Sequence, residues 1–450
     1  MGLERDWTQG NILRNLLNLS WPIMVTSSFN IMGPIIPMIW VGKIGASAVA
    51  GLGVANTLAG MFTVAGMAGF VTGTKAIIAR FVGASDSAGA NHVARQAFVI
   101  SATYSAVITV VGVLFAERIV GLFGLEPDVV AQGATYLRIQ CAGSTLITFR
   151  YLAEGIMQSS GDTVIPMRIT ITYRLVHAIL SPFFILGWWF FPRLGVGGAA
   201  VTDVGSHGLG LIIGLWCLFS GKTRLRLTLN NFRIDPGVIW RIVTIGIPAS
   251  VMTLQKNIGN LVLLRVIVPF GTIAVAAHSL MQRVELIMSA PSTGLGQGAG
   301  VLTGQNLGAH QPERAQRSGW LAASLAQGYI FVCLLAILLW AENIVRLFTP
   351  DPGLVQTAST FLRIATTGYL VMGFEVVLQQ CISGSGDTVP PMTVSLVALW
   401  LVQLPLAFFL PRITGLGVYG VRWGMVAGMV GGALAYITYF WLGRWKRKKV

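Results

Sequence analysis

Twelve stretches of this 450-residue chain stay mainly apolar over 20 residues or more: roughly 16–40, 48–72, 93–115, 130–155, 164–191, 195–219, 238–268, 273–297, 318–340, 355–380, 390–411 and 416–441. A helix crosses a bilayer with about 20 such residues, and it satisfies its own backbone groups while doing so. The strands of a closed barrel would alternate in polarity over about 10 residues. These runs are twice that length and do not alternate, so a barrel is excluded. Only 10% of the residues are charged, against about a quarter in soluble domains. An ordinary soluble enzyme and a disordered chain are therefore excluded as well. The 54 glycines suit closely packed membrane helices. The chain reads as an all-α membrane protein with twelve transmembrane helices.

The net charge is +15. The bases cluster in short segments between apolar runs, as in Lys222-Thr223-Arg224-Leu225-Arg226 and Arg444-Trp445-Lys446-Arg447-Lys448-Lys449. That placement fits attraction to a lipid bilayer and control of topology, and it excludes nucleic acid as a partner. The tails and even-numbered loops hold 18 Lys and Arg, the odd loops 6. The positive-inside rule then puts both termini in the cytoplasm of a multi-pass protein of the cell (inner) membrane. Cys141, Cys217, Cys333 and Cys381 lie inside apolar runs without CxxC spacing, which indicates neither disulfides nor a metal site. The N-terminus lacks a cationic n-region, so no processing is expected.

The chain also repeats itself. Shifted by 225 residues, positions 117–139 meet 342–364 with 11 of 23 identical. In the same register Ser160-Gly-Asp-Thr-Val-Ile-Pro-Met meets Ser385-Gly-Asp-Thr-Val-Pro-Pro-Met, and at a shift of 226 Pro22 meets Pro248. Six helices per copy give two copies of the same orientation, related by a pseudo-two-fold axis along the membrane normal. The expected domains are an N-lobe over 1–219 (helices 1–6), a cytoplasmic linker over 220–240 and a C-lobe over 241–450 (helices 7–12). Two such lobes leave a central cavity, the arrangement of an alternating-access carrier.

The paired Gly-Asp-Thr-x-x-Pro-Met segments at 161–167 and 386–392, the run Gly294-Leu-Gly-Gln-Gly-Ala-Gly-Val-Leu-Thr-Gly-Gln-Asn-Leu-Gly-Ala309, Trp40-Val-Gly-Lys-Ile-Gly45 and Leu194-Gly-Val-Gly-Gly-Ala-Ala200 together resemble the multidrug and toxic compound extrusion (MATE) transporters. The likeness runs from about residue 12 to 442. It implies a secondary antiporter that expels organic cations against inward proton or sodium flow. Three carboxylate-bearing positions of that family are different here. An Asp of helix 1 is replaced by Pro37, an Asn and Asp of helix 5 by His177 and Ser181, and an acid of helix 7 by Lys256. A helix 6 position that usually bears a hydroxyl is Asp203.

A charge at bilayer depth costs about 2.5–3.5 kcal/mol on insertion scales, so each needs a partner or a function. Four acids remain once the loops are assigned: Glu154, Asp203, Glu285 and Glu375. Asp203 has His207 four residues later on the same helical face and no Lys or Arg within its helix. As an unpaired buried carboxylate it would take up a proton near neutral pH, with His207 and His177 of helix 5 as titrating neighbours. The alternative is a neutral Asp hydrogen-bonded inside the lobe. Glu285 and Glu375 are further ion-coupling candidates, with Lys256 as their counter-charge. Glu154 follows Arg150 by four residues, so it forms an intrahelical ion pair or meets substrate. Asn30 and Gln282 are polar cavity candidates, and Trp400 and Met281 candidate apolar wall residues; each also suits plain helix packing. Pro22, Pro34 and Pro37 break helix 1 and make its bending a moving part.

Gly221-Lys222-Thr223 is no phosphate loop, since its leading glycine position is Trp216. No cofactor is expected, only a coupling ion, H+ or Na+. The expected function is export of amphipathic organic cations by a monomeric carrier that is not an enzyme. Its rivals are a flippase for a lipid or lipid-linked sugar, and an intramembrane enzyme for which no residue constellation appears. Net acidic charge in the cavity would favour cation export; net basic charge would favour the flippase.

Overall fold

A computed structural model describes residues 6–189, 191–230, 232–448 and 450, and every regular element among them is helical. Twelve helical segments follow one another: α1 Ile12–Val41, α2 Ala46–Gly83, α3 Ser87–Gly121, α4 127–160, α5 Val164–Leu186, α6 Val196–Ser220, α7 Pro236–Phe270, α8 Thr272–Gly308, α9 Pro312–Arg346, α10 Pro352–Gly384, α11 Val389–Ile413 and α12 Val418–Leu442. Ten of these are by themselves long and apolar enough to cross a membrane. Of the other two, α4 is divided at Gly143, and α8 is diluted by Gln282, Arg283, Glu285 and a Gly-rich second half.

The helix ends follow local chemistry, and the two repeats share it. Pro127 and Pro352, equivalent positions, open α4 and α10, where a missing N–H costs nothing. Asp86, Asp235 and Asp351 cap α3, α7 and α10 by accepting from Gly89 N at 2.8 Å, Gly237 N at 2.9 Å and Gly353 N at 2.9 Å. Gly221 and Gly443 stop α6 and α12 in the left-handed region, at φ 75° and 69°.

Among the described residues five helices are irregular, α9 by a kink at Trp340. α1 breaks at Gly33–Pro34, α4 at Gly143, and π-helical turns interrupt α2 at Gly60–Ala65 and α11 at Val397–Gln403. A π turn displaces a carbonyl from the regular ladder; in α2 the Phe62 carbonyl accepts from the Tyr104 hydroxyl of α3.

Packing divides the chain into two compact units, one of Val25–Ser250 together with Asp6, the other of Trp7–Met24 and Val251–Val450. The expected lobe limits follow the repeats; the units follow contact, so each takes the leading half of a helix from the other repeat. Both divisions fall within three residues of a proline inside a helix, Pro22 in α1 and Pro248 in α7.

Within each unit helices approach backbone to backbone at glycine, because membrane helices gain little from burying apolar area and much from close contact. In the first unit a Cβ on Gly69 would lie 2.1 Å from the Gly246 carbonyl. In the second, a Cβ on Gly384 would lie 2.4 Å from the Gly300 carbonyl, which places the Gly-rich run of α8 directly against α10.

The two Gly-Asp-Thr motifs do the same job. Asp162 accepts from the Arg224 backbone N–H at 2.5 Å, tying down the segment after α6. Its repeat mate Asp387 accepts from Tyr439 Oη at 2.6 Å and pairs with Lys448 Nζ at 3.8 Å, tying down the segment after α12. Trp445 anchors that second segment: it is fully buried, stacks on Phe440 at 4.7 Å and donates to the Phe440 carbonyl at 3.0 Å. Burial pushes the Asp162 carboxyl above the usual carboxylate range, against the pull of Arg224. The linker before α7 is laced to α3. Asn91, Arg95 and Gln96 bond Thr228, the Asn230 carbonyl and the Arg233 carbonyl, and His92 meets Asp235 at 3.0 Å. That histidine contact, with the backbone N–H groups of Val238 and Gly237, holds the Asp235 carboxyl below the usual range.

Candidate functional site

In the first unit, α4, α5 and α6 bring their polar residues together around Asp203. Gln140 of α4 donates to Asp203 Oδ2 at 2.9 Å, and Tyr136, one turn earlier, meets Gln140 at 2.9 Å and Asn56 of α2 at 3.3 Å. Arg174 of α5 donates to Asp203 Oδ1 at 3.3 Å. His177 Nδ1 stands 3.8 Å and His207 Nε2 3.7 Å from the same oxygen. The expectation of an unpaired carboxylate is therefore corrected. No base lies on its own helix, but one reaches it from the neighbouring helix, as a charge at membrane depth requires. Both histidines are buried beside it, so the cluster carries one fixed positive charge, one negative charge and two imidazoles.

The break in α1 shapes this cluster. A Cβ on Gly33 would lie 2.5 Å from Arg174 Nη1 and 2.6 Å from Cζ, so only glycine leaves room for the guanidinium here. Asn30, a turn earlier, accepts from Tyr173 Oη at 2.9 Å.

A second polar chain lies on α4 and meets the first through aromatic rings. Lys75 Nζ donates to Gln158 at 2.9 Å, Gln158 donates to Glu154 at 3.0 Å, and Arg150 donates to Glu154 at 2.7 Å. Glu154 is thus the intrahelical partner of Arg150, one of the two roles its spacing allows. The Arg150 guanidinium sits over the rings of Tyr151 and Tyr173 at 4.0 Å and 4.8 Å. Tyr173 lies 5.1 Å from the His207 ring, which joins the two chains.

The second unit holds the remaining candidates. Among the described residues, Lys256 of α7 and Glu285 of α8 lie in electrostatic reach of Glu375 on α10. Glu285 in turn lies in reach of Arg422 of α12. Arg422 is buried, with its guanidinium against the sulfurs of Met281 and Met425 and over Phe361 at 4.9 Å. Met281 is accordingly buried in the core of this unit, where it packs with Leu280, Met288 and Tyr369; that position corrects its expected place on an apolar wall. Trp400, in the π turn of α11, donates to Gln255 at 3.1 Å. Gln282 is half-buried on α8. Among the described residues, no group of three His, Cys, Asp or Glu side chains is placed to hold a metal ion.

Arg174, Gln140, Tyr136, Tyr173 and Gly33 complete the first site without having been singled out as its members in the sequence. Arg174 carried one signal, an uncompensated base inside an apolar run; the others carried none.

Comparison with known proteins agrees with this architecture. The MatE family profile matches twice, at residues 22–183 and 248–409, one match per repeat. The chain is 23% identical to a probable multidrug resistance protein NorM of Thermotoga maritima, over 98% of this chain and 94% of that one. It is 26% identical to an FAD transporter of Shewanella oneidensis, over 88% and 87%. A crystal structure of a MATE protein in its bent conformation superposes with a TM-score of 0.90 at 24% identity, covering 97% of this chain and 96% of that one. The solved fold of twelve helices in two lobes is the fold of this chain. With a family profile spanning both halves, the chain belongs to the MatE family of multidrug efflux transporters and is a multi-pass membrane protein.

Proposed function

We propose that the chain is a secondary antiporter of the cell membrane, with both termini cytoplasmic, that exports amphipathic organic cations in exchange for protons by alternating access. The observation that carries this reading is the Asp203 cluster, in which Arg174 balances the carboxylate and two buried imidazoles stand beside it. In its resting form the cluster is electrically neutral. A proton taken up by His177 or His207 makes it positive, and a positive site repels the organic cation that a neutral one tolerates. Proton and substrate then exclude each other, which is the condition for antiport. Because the Arg174 guanidinium already occupies the carboxylate, the exchanging ion at this site is a proton and not sodium. Glu375, with Lys256 and Glu285 in reach, supplies a second protonatable group in the other unit.

One observation favours a different cargo. In the polar core of the first unit Lys75, Arg150 and Arg174 outnumber Glu154 and Asp203. A basic excess suits a phosphate-bearing amphiphile, and the Shewanella relative is named an FAD transporter.

Proteoliposomes separate the readings. Wild type should move a fluorescent organic cation under an imposed pH gradient and not under a sodium gradient, and Asp203→Asn should lose that uptake. Uptake driven by sodium alone would overturn the proton assignment. Transport of a labelled dinucleotide or phospholipid in place of the cation would establish the second cargo.

A further inference from the structure

We propose that the segment following the last helix of each repeat is a binding site for the head group of an anionic phospholipid. Trp216 on α6 and Trp441 on α12 each stand in the last turns of the helix that closes a repeat, and are 56% and 71% exposed. Each is followed within five residues by the left-handed glycine that ends its helix. Bases come next: Lys222 and Arg226 in the first repeat, Arg444 and Arg447 in the second, all four exposed. An exposed indole at a helix end sits at the membrane interface, its rings among acyl chains and its N–H among head groups. A base in the following turn is then at the depth of the lipid phosphates.

The bases of these segments divide into two sets. Arg224, Lys446 and Lys448 are held by the protein: Arg224 bonds Asp162 through its backbone, Lys446 bonds Glu313 at 2.8 Å and Gln316 at 2.7 Å, and Lys448 meets Asp387. These contacts, with buried Trp445, fix where each segment runs. The other four meet no acidic partner among the described residues. Lys222 instead lies 3.6 Å over the Trp216 ring, which keeps indole and ammonium together at one spot. The clasp of the Gly-Asp-Thr motif on one side and the uncompensated bases on the other make a built surface that presents positive charge. A base directly follows the helix-ending glycine in both repeats, Lys222 after Gly221 and Arg444 after Gly443, so charge scattered at random does not account for it.

The test uses purified full-length protein in a neutral detergent, with phosphatidylglycerol or phosphatidylcholine added as mixed micelles. Bound lipid is counted by native mass spectrometry, and the melting temperature is followed in parallel. Phosphatidylglycerol should bind and raise the melting temperature; phosphatidylcholine should do neither. The variants Lys222→Gln/Arg226→Gln and Arg444→Gln/Arg447→Gln should each weaken phosphatidylglycerol binding by about fivefold for every base removed. The variant Arg118→Gln/Arg346→Gln removes the same charge from exposed positions elsewhere and should bind as wild type does. Melting in phosphatidylcholine checks that each variant is folded. If a double variant fails that check, Arg226→Gln and Arg447→Gln alone carry the measurement. Equal loss in the Arg118/Arg346 variant, equal binding of phosphatidylcholine, or displacement of the lipid by inorganic phosphate would each overturn the proposal.

Discussion

Arg174 can reach Asp203 because Gly33 has no side chain: its guanidinium fills the place where a Cβ on Gly33 would stand, and from there Nη1 lies 3.3 Å from Asp203 Oδ1. The atoms a Cβ would meet belong to the flexible end of Arg174, so alanine at position 33 moves the guanidinium more readily than the helix. Gly33→Ala should therefore unpair Asp203 while keeping the fold. Proton-driven uptake of an organic cation should fall about tenfold, comparable to Arg174→Gln, with a melting temperature within a few degrees of wild type. Wild-type uptake in Gly33→Ala would mean that the pair is not used in coupling.

Glu154 and Arg150 form a buried pair, with Arg150 only 2% exposed at its side chain. Removing one partner of such a pair leaves a buried uncompensated charge and costs about 3–5 kcal/mol, whereas replacing both by apolar residues of similar size is often neutral. Glu154→Gln should lower the melting temperature clearly, and Arg150→Met/Glu154→Leu should recover most of the loss. The comparison is made by thermal unfolding in detergent; a double variant as unstable as the single one would show that the pair is not the cause.

The sequence placed this pair through its i, i+4 spacing, and it placed Asp203 with His207 in the same way. Periodicity within one helix is local, so it survives in the chain as written. The repeat was equally legible, because two copies of one packing problem keep similar residues. What joins Arg174, Gln140 and Gly33 to Asp203 is the crossing of four helices, and no spacing within a single helix encodes that. The same holds for Met281, whose flexible side chain suits a cavity wall and a core equally well. The π turns of α2 and α11 also left no mark in composition.

The linker before α7 should respond to acid. Asp235 carries a lowered pKa through the His92 contact and two backbone N–H groups. A carboxylate so depressed contributes stability above its ordinary titration range and loses it as pH falls through the lowered value. Protection of the amides at 228–230 and 232–238, taken relative to their intrinsic exchange rates, should thus be high at neutral pH and fall as the pH drops below the usual carboxylate range. Asp235→Asn should be poorly protected at both, and an unchanged acid response in that variant would assign the effect to another group.

Glycine contacts should rank substitutions by geometry. Gly384→Ala places a methyl 2.4 Å from a backbone carbonyl, which no side-chain rotation can relieve, while Gly53→Ala meets nothing within 4 Å. The first should reduce the yield of folded protein severely, and the second should leave it unchanged or slightly better, since alanine favours a helix by about 1 kcal/mol over glycine. Fluorescence-detected gel filtration of the two variants decides this; equal yields would contradict the close approach of α8 and α10.

The placement of the unit divisions inside α1 and α7 has a consequence for taking the protein apart. A cut in the loop between α6 and α7 looks like the natural way to obtain two halves. The resulting N-terminal fragment, however, would lack residues 236–250 of its own compact body and carry residues 7–24, which complete the other. Each fragment would expose a docking groove and bear a stray helical arm that fits its sibling. The gene can be severed at that loop, but the two products must be born together, because neither has a finished fold to reach alone.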